Sequence, residues 1–360
     1  MKKFKEKLVK RQSSIDFIKF FLSIIIIFLH FEFIFSGGYL AVEGFFMISG
    51  FLMMRSLCKK QDTSPEGTMR FVLHKYKAIF LPLLFSAISG FLIYEFLIFK
   101  DTYDIILRRI PLLLYEIVPL QVAGFEAMYT TGVSWYLAAM LLAIALIHPF
   151  AKKDPQRFAY TVCPTAAVLI YGFLCARCGN LSIPNTWLLE GLLNTGLLRG
   201  IAGIASGCFL YVLVSRTFDK KAPSIKERCL FTLLEILGWA FILLLMTNKH
   251  FVCTSMDYVF LPIMFGVLYI AFSQKSIFAL FINHKWTGIL SACSIYTFMN
   301  HLAWSQYFKY TYPDKTKFEL LPWYILCVIV SSVCVWLLTK LTELILRKIK
   351  ERRKKEIQSV

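Results

Sequence analysis

The sequence predicts an all-α, polytopic membrane helical bundle of about ten transmembrane helices with both termini cytoplasmic. Three observations point there. The 360 residues are 58% hydrophobic and 16% aromatic, and the mean hydropathy is +0.62. Charged residues amount to 17%, against about 25% in ordinary soluble domains, and they collect in clumps between apolar runs. Most of those runs approach the length of about 20 residues that crosses a bilayer at 1.5 Å per residue. This composition excludes a disordered chain and most soluble enzymes.

In chain order the spans are expected at 17–36, 38–57, 77–99, 134–151, 158–176, 194–215, 229–247, 256–273, 287–306 and 321–346. The first apolar run has no small-residue cleavage site and is expected to stay as a helix. A further apolar stretch, 105–122, is interrupted by Arg108, Arg109, Pro111, Glu116 and Pro119 and reads as re-entrant or interfacial. Loop charge decides the orientation. With ten spans and the N-terminus inside, thirty of the forty Lys and Arg residues fall in inside segments and nine on the outer side, Arg199 among them near the outer end of its span, with Lys340 in the last span. Counting 105–122 as a span would reverse the later loops and break this asymmetry. The chain 1–360 therefore reads as a single transmembrane domain with basic cytoplasmic segments at 1–16 and 347–360.

The formal charge of +18 raises the question of nucleic acid, but the cations cap apolar runs, as they do opposite anionic lipid. The expected partner is the bilayer, and nucleic acid is not expected. Ten cysteines are scattered, with one CxxC at Cys175 and Cys178 and no second one. Neither a disulfide scaffold nor a metal site is expected.

Ionisable residues inside spans are functional candidates by default. Lys19 and His30 are eleven residues apart, three turns with about 20° of residual rotation, so they share a helix face about 16 Å apart along the axis. Lys19 is expected at the cytoplasmic mouth and His30 two-thirds of the way across. Glu43 lies about as far into the second span as His30 lies from the end of the first, so the two are expected at one depth, facing each other. Gly37, Gly38, Gly44 and Gly50 would allow the close approach. A carboxylate beside an imidazole fixes its tautomer and raises its basicity, as a general base requires.

At these residues the sequence resembles the acyltransferase 3 family of integral membrane acyltransferases, which O-acylate sugars and related polymers. The first-helix motif is matched by IDFIKF, with Asp16 and Lys19, followed by His30; Lys19 stands where the family has Arg, keeping the charge but losing the bidentate fork. AVEGFFMISGFLM, from Ala41 to Met53, is similar to the second-helix motif and places Glu43 at the acidic position. HKYKAIFLP offers His74, Lys75, Lys77 and Pro82 for a basic stretch ending in Pro. SWYL supplies Trp135, with Met140 where larger members often have Glu, and SIYTFMNHL supplies Tyr296 and His301.

The resemblance implies acetyl-CoA as a cytoplasmic acyl donor, a saccharide or other glycan hydroxyl as acceptor, no metal, and the bacterial cytoplasmic membrane, crossed many times, as location. On this reading His30 and Glu43 are the catalytic pair. Lys19, Lys75 and Lys77 form a cationic rim for the anionic donor. Trp135, Tyr296 and His301 contribute to substrate binding. Direct transfer with His30 as base is favoured; an acyl-histidine intermediate is the variant. A transporter or flippase of a polar substrate is the alternative from another class, and a non-catalytic scaffold a weaker third.

Overall fold

The computed structural model describes residues 13–59, 64–125, 130–183, 186–218, 223–282 and 286–358. Residues 1–12, most of the predicted basic N-terminal segment, lie outside the described residues. The helices are α1 Ser13–His30, α2 Ala41–Lys59 and α3 Gly67–Leu92, which continues as a π-helical stretch, Ile93–Phe99. Then come α4 Tyr103–Ile117, α5 Ser134–Ala151, α6 Cys163–Cys178 and α7 Thr195–Phe218. The series ends with α8 Ile225–Thr247, α9 Met256–Phe272, α10 Trp286–Thr311 and α11 Lys317–Gln358. A short antiparallel hairpin pairs β1, Trp187–Leu188, with β2, Leu193–Asn194.

The molecule is an all-α polytopic bundle, and each of the ten expected spans falls on one of these helices. Among the described residues, eight helices are long and apolar enough to cross a membrane. Of the other two, α9 is a shorter apolar helix of 17 residues, and α10, with 26, is broken up by Ser, Thr, Asn and His. The stretch 105–122 becomes α4, whose 15 residues extend only about 22 Å. It buries Leu113, Glu116 and Ile117 and leaves Arg108 exposed, an amphipathic pattern that fits the interfacial reading. All ten cysteines are free thiols.

Helix α1 ends at His30, six residues before the expected end of the first span. The connection breaks the helix because Glu32 and Ile34 adopt left-handed φ angles of 57° and 62°, and the Glu32 carboxylate pairs with Lys309 at 2.5 Å and Lys317 at 3.5 Å. His30 therefore sits on the final turn of its helix, two residues before the ion-paired Glu32, instead of two-thirds of the way across a longer span.

Helix α2 is the centre of the core, burying thirteen of its nineteen residues. It meets α7 backbone to backbone. A Cβ on Gly50 would lie 2.0 Å from the carbonyl oxygen of Ile204, and one on Gly207 would lie 1.9 Å from that of Met47. Gly38 and Gly44 instead approach α1 side chains, and Gly37 approaches α8 at Met246. Helix α10 packs against α1, α3 and α11, which brings a late helix into contact with the first.

Candidate active site

Glu43, on the first turn of α2, is fully buried. One carboxylate oxygen accepts from Arg199 Nε at 2.6 Å and the other from the Tyr171 hydroxyl at 2.5 Å. Arg199 comes from α7 and is 2% exposed. Its guanidinium also lies over the Trp135 ring, 5.2 Å from the centroid. A buried carboxylate is tolerable only when it is paired and hydrogen-bonded, and here a guanidinium and a phenol meet that requirement. The expected Glu43–His30 pair is thus replaced: the carboxylate is engaged by α7 and α6, and it does not orient the imidazole.

The ring beside His30 is His301, with centroids 5.1 Å apart. His301, on α10, is fully buried, and its Nδ1 is 2.8 Å from the carbonyl oxygen of Phe298. A carbonyl only accepts, so Nδ1 carries the proton, and in the neutral ring Nε2 is left as a lone pair. That Nε2 is buried and has no hydrogen-bond partner among the described residues. The end of α1 is fixed beside it by two hydroxyls: Ser305 donates to the His30 carbonyl oxygen at 2.5 Å, and Tyr324 donates to that of Ile27 at 3.2 Å.

A cavity of about 320 Å³ joins His30 and Arg199. Its lining includes His30 from α1, Trp135 and Tyr136 from α5, Arg199 from α7, Phe298 from α10, and Glu32 from the α1–α2 connection. The Arg199 Nη2 is a buried donor without a partner among the described residues. At the mouth, the hydrogen bond from Lys309, helped by Lys317, holds the Glu32 carboxyl below its usual range. One cavity therefore offers an imidazole, an under-used guanidinium donor and an aromatic wall, the inventory for accepting a proton and stabilising a developing oxyanion.

The other expected residues divide. Trp135 belongs to the cavity, and His301 stands behind His30. Tyr296 does not belong to it: it lines a separate apolar groove of about 690 Å³ between α10 and α11, with Thr297, Ile329 and Trp336. Lys19 is half-buried on α1. On α3, the half-buried Lys75 puts its ammonium 5.6 Å from the Phe71 ring, and Lys77 is exposed. None of the three lysines is among the residues lining the His30 cavity. Sequence reading passed over Arg199 and Tyr171. The signal for Arg199 was present, a lone cation in the apolar run 194–215, whereas Tyr171 is an ordinary aromatic until the fold sets it against Glu43.

A family model, Acyl_transf_3, described as an acyltransferase domain, matches residues 12–341, nearly the whole chain. No curated protein and no solved structure matches it.

Proposed function

Because the chain belongs to the Acyl_transf_3 family and is a membrane acyltransferase, we propose that it moves an acetyl group from cytoplasmic acetyl-CoA to a hydroxyl of an extracytoplasmic or lipid-linked saccharide, in the bacterial cytoplasmic membrane. The observation that supports this most is the unpartnered His301 Nε2 beside His30 in a cavity shared with Arg199. With its Nε2 lone pair free, His301 can accept an N–H of His30 once the two rings, 5.1 Å apart between centroids, turn toward each other, and that bond would fix the His30 tautomer. The other His30 nitrogen then faces the cavity as a base.

His30 takes the proton of the acceptor hydroxyl, and the oxygen bonds to the acyl carbon while the carbon–sulfur bond breaks. The Arg199 Nη2 donor holds the carbonyl oxygen as charge develops on it. Glu43 and Tyr171 keep the guanidinium in place from behind, acting as positioning residues. The thiolate leaves with the proton His30 received, so the imidazole returns to its starting state. Lys19, Lys75 and Lys77 attract the anionic donor to the inner rim electrostatically. Their dispersal over α1 and α3 suits a diffuse field more than a fixed phosphate socket.

The test uses purified full-length protein in liposomes with labelled acetyl-CoA inside and candidate glycans outside. Wild type should leave a labelled ester on the glycan, and His30→Ala should leave none while still inserting. Movement of unmodified glycan without donor would establish the transporter alternative. Wild-type turnover by His30→Ala would remove the assigned base.

A further inference from the structure

A second cavity, of about 460 Å³, touches the opposite end of α1. Three of its lining residues bury polar atoms with no hydrogen-bond partner among the described residues: Ser14 Oγ on the first turn of α1, Glu235 Oε2 on α8, and Ser276 Oγ in the connection after α9, whose hydroxyl stands beside the Glu235 carboxyl. Glu235 is 5% exposed and Ser276 0%. An unpaired carboxylate oxygen in an apolar setting is costly, and no other buried carboxylate oxygen among the described residues is left in that state. The acid stands inside a span, ten residues after the start of α8.

The walls around it are aromatic. Phe21 and Trp239 meet edge to face with centroids 5.3 Å apart, and Phe17 and Trp286 do so at 6.3 Å. Trp239 follows Glu235 by one helical turn, so the indole and the carboxylate share a face of α8. Negative ring faces around a carboxylate do little for an anion, and a neutral apolar guest would leave Oε2 unpaired. A cation satisfies both, through the ion pair and through the ring quadrupoles, and a cavity of this size accepts a small molecule.

We infer that this cavity binds an organic ammonium ion, with the charged head on Glu235 and the apolar body against Trp239 and Trp286. Ser14 and Ser276 serve as acceptors for N–H groups when the head is a primary amine. The site is separate from the His30 cavity, since the two share no lining residue.

The experiment is calorimetric titration of the full-length protein in phosphatidylglycerol nanodiscs with benzyltrimethylammonium, followed by choline and its uncharged carbon isostere, 3,3-dimethylbutan-1-ol. Saturable binding of the two cations and none of the alcohol is expected. Glu235→Gln, which keeps the side chain's shape, should weaken binding about tenfold or more. Trp239→Leu should weaken it as well, and His30→Ala should bind as wild type does. Adding phosphatidylethanolamine distinguishes the sources: competition with the probe identifies a lipid headgroup, and undiminished probe binding identifies a soluble amine. Absence of saturable binding, equal affinity for the alcohol, or wild-type affinity in both Glu235→Gln and Trp239→Leu would overturn the inference. Thermal unfolding of each variant verifies that it is folded, and either variant alone suffices if the other is not.

Discussion

Glu43 and Glu116 are both fully buried carboxylates, but their surroundings differ in kind. Glu116, on α4, accepts four hydrogen bonds, from the backbone N–H and the hydroxyl of both Thr130 and Thr131, at 2.7 to 2.9 Å. Every oxygen is satisfied, and nothing in the cluster reaches a cavity described above. It ties the interfacial helix to the connection entering α5 and works as a strut. Glu43 instead shares its charge with a guanidinium whose remaining donor faces no partner beside a cavity. The comparison teaches that burial alone does not mark a functional acid; an incomplete network against open space does.

The comparison can be broken from either side. The largest effect is expected at His30: His30→Ala should lower acyl transfer by roughly 10³-fold, within the range for a lost general base, with normal insertion, whereas Glu116→Ala should leave turnover per folded molecule near wild type. Next, Arg199→Gln should cost about 10²-fold in kcat, as losing an oxyanion donor does, and should also destabilise the protein by leaving Glu43 unpaired. The double variant Glu43→Gln with Arg199→Gln should recover thermal stability without recovering kcat. Equal recovery of both would make Glu43 and Arg199 a second strut.

Glu116→Ala should lower unfolding free energy by about 3 kcal/mol, since it orphans several buried donors, read as a fall in the detergent unfolding midpoint. Lys19→Glu should raise the apparent KM for acetyl-CoA several-fold and leave kcat nearly intact; an unchanged KM would dissociate Lys19 from the donor. The smallest effect belongs to Glu32, whose carboxyl is held low by Lys309. Its ion pair contributes fully above the ordinary carboxylate range and is lost as pH falls through the lowered value. Because Glu32 is 52% exposed, the gain is at most about 1 kcal/mol. The pH dependence of the unfolding midpoint should flatten at the acidic end in Lys309→Gln with Lys317→Gln.

Helix number and order were legible because bilayer thickness imprints itself on run length, and the acid and imidazole were legible because charge inside an apolar run is rare. Their pairing was not. Counting residues from a turn gives depth, but it says nothing about the direction a side chain takes around its helix. The gap also differs from the single residue between the expected spans 17–36 and 38–57: α1 stops at His30 and the chain passes through residues 31–40 before α2, so the two helices are not phased by a tight reversal. Arg199 lies 156 residues from Glu43, and His301 is farther still from His30. No local pattern in either segment encodes such meetings. Tyr296 fails for a related reason: it shares α10 with His301, yet five residues of a 3.6-residue helix turn it toward the α11 side.

The glycine contact between α2 and α7 has a kinematic consequence. With Gly50 seated on the carbonyl oxygen of Ile204 and Gly207 on that of Met47, those helices cannot slide or rotate apart, so the carboxylate and its guanidinium travel as one piece, a keel for the rest of the bundle. Any breathing that admits a substrate falls instead to the helices outside this pair. An alanine at Gly50 would wedge the keel open and silence the chemistry without altering a single polar group.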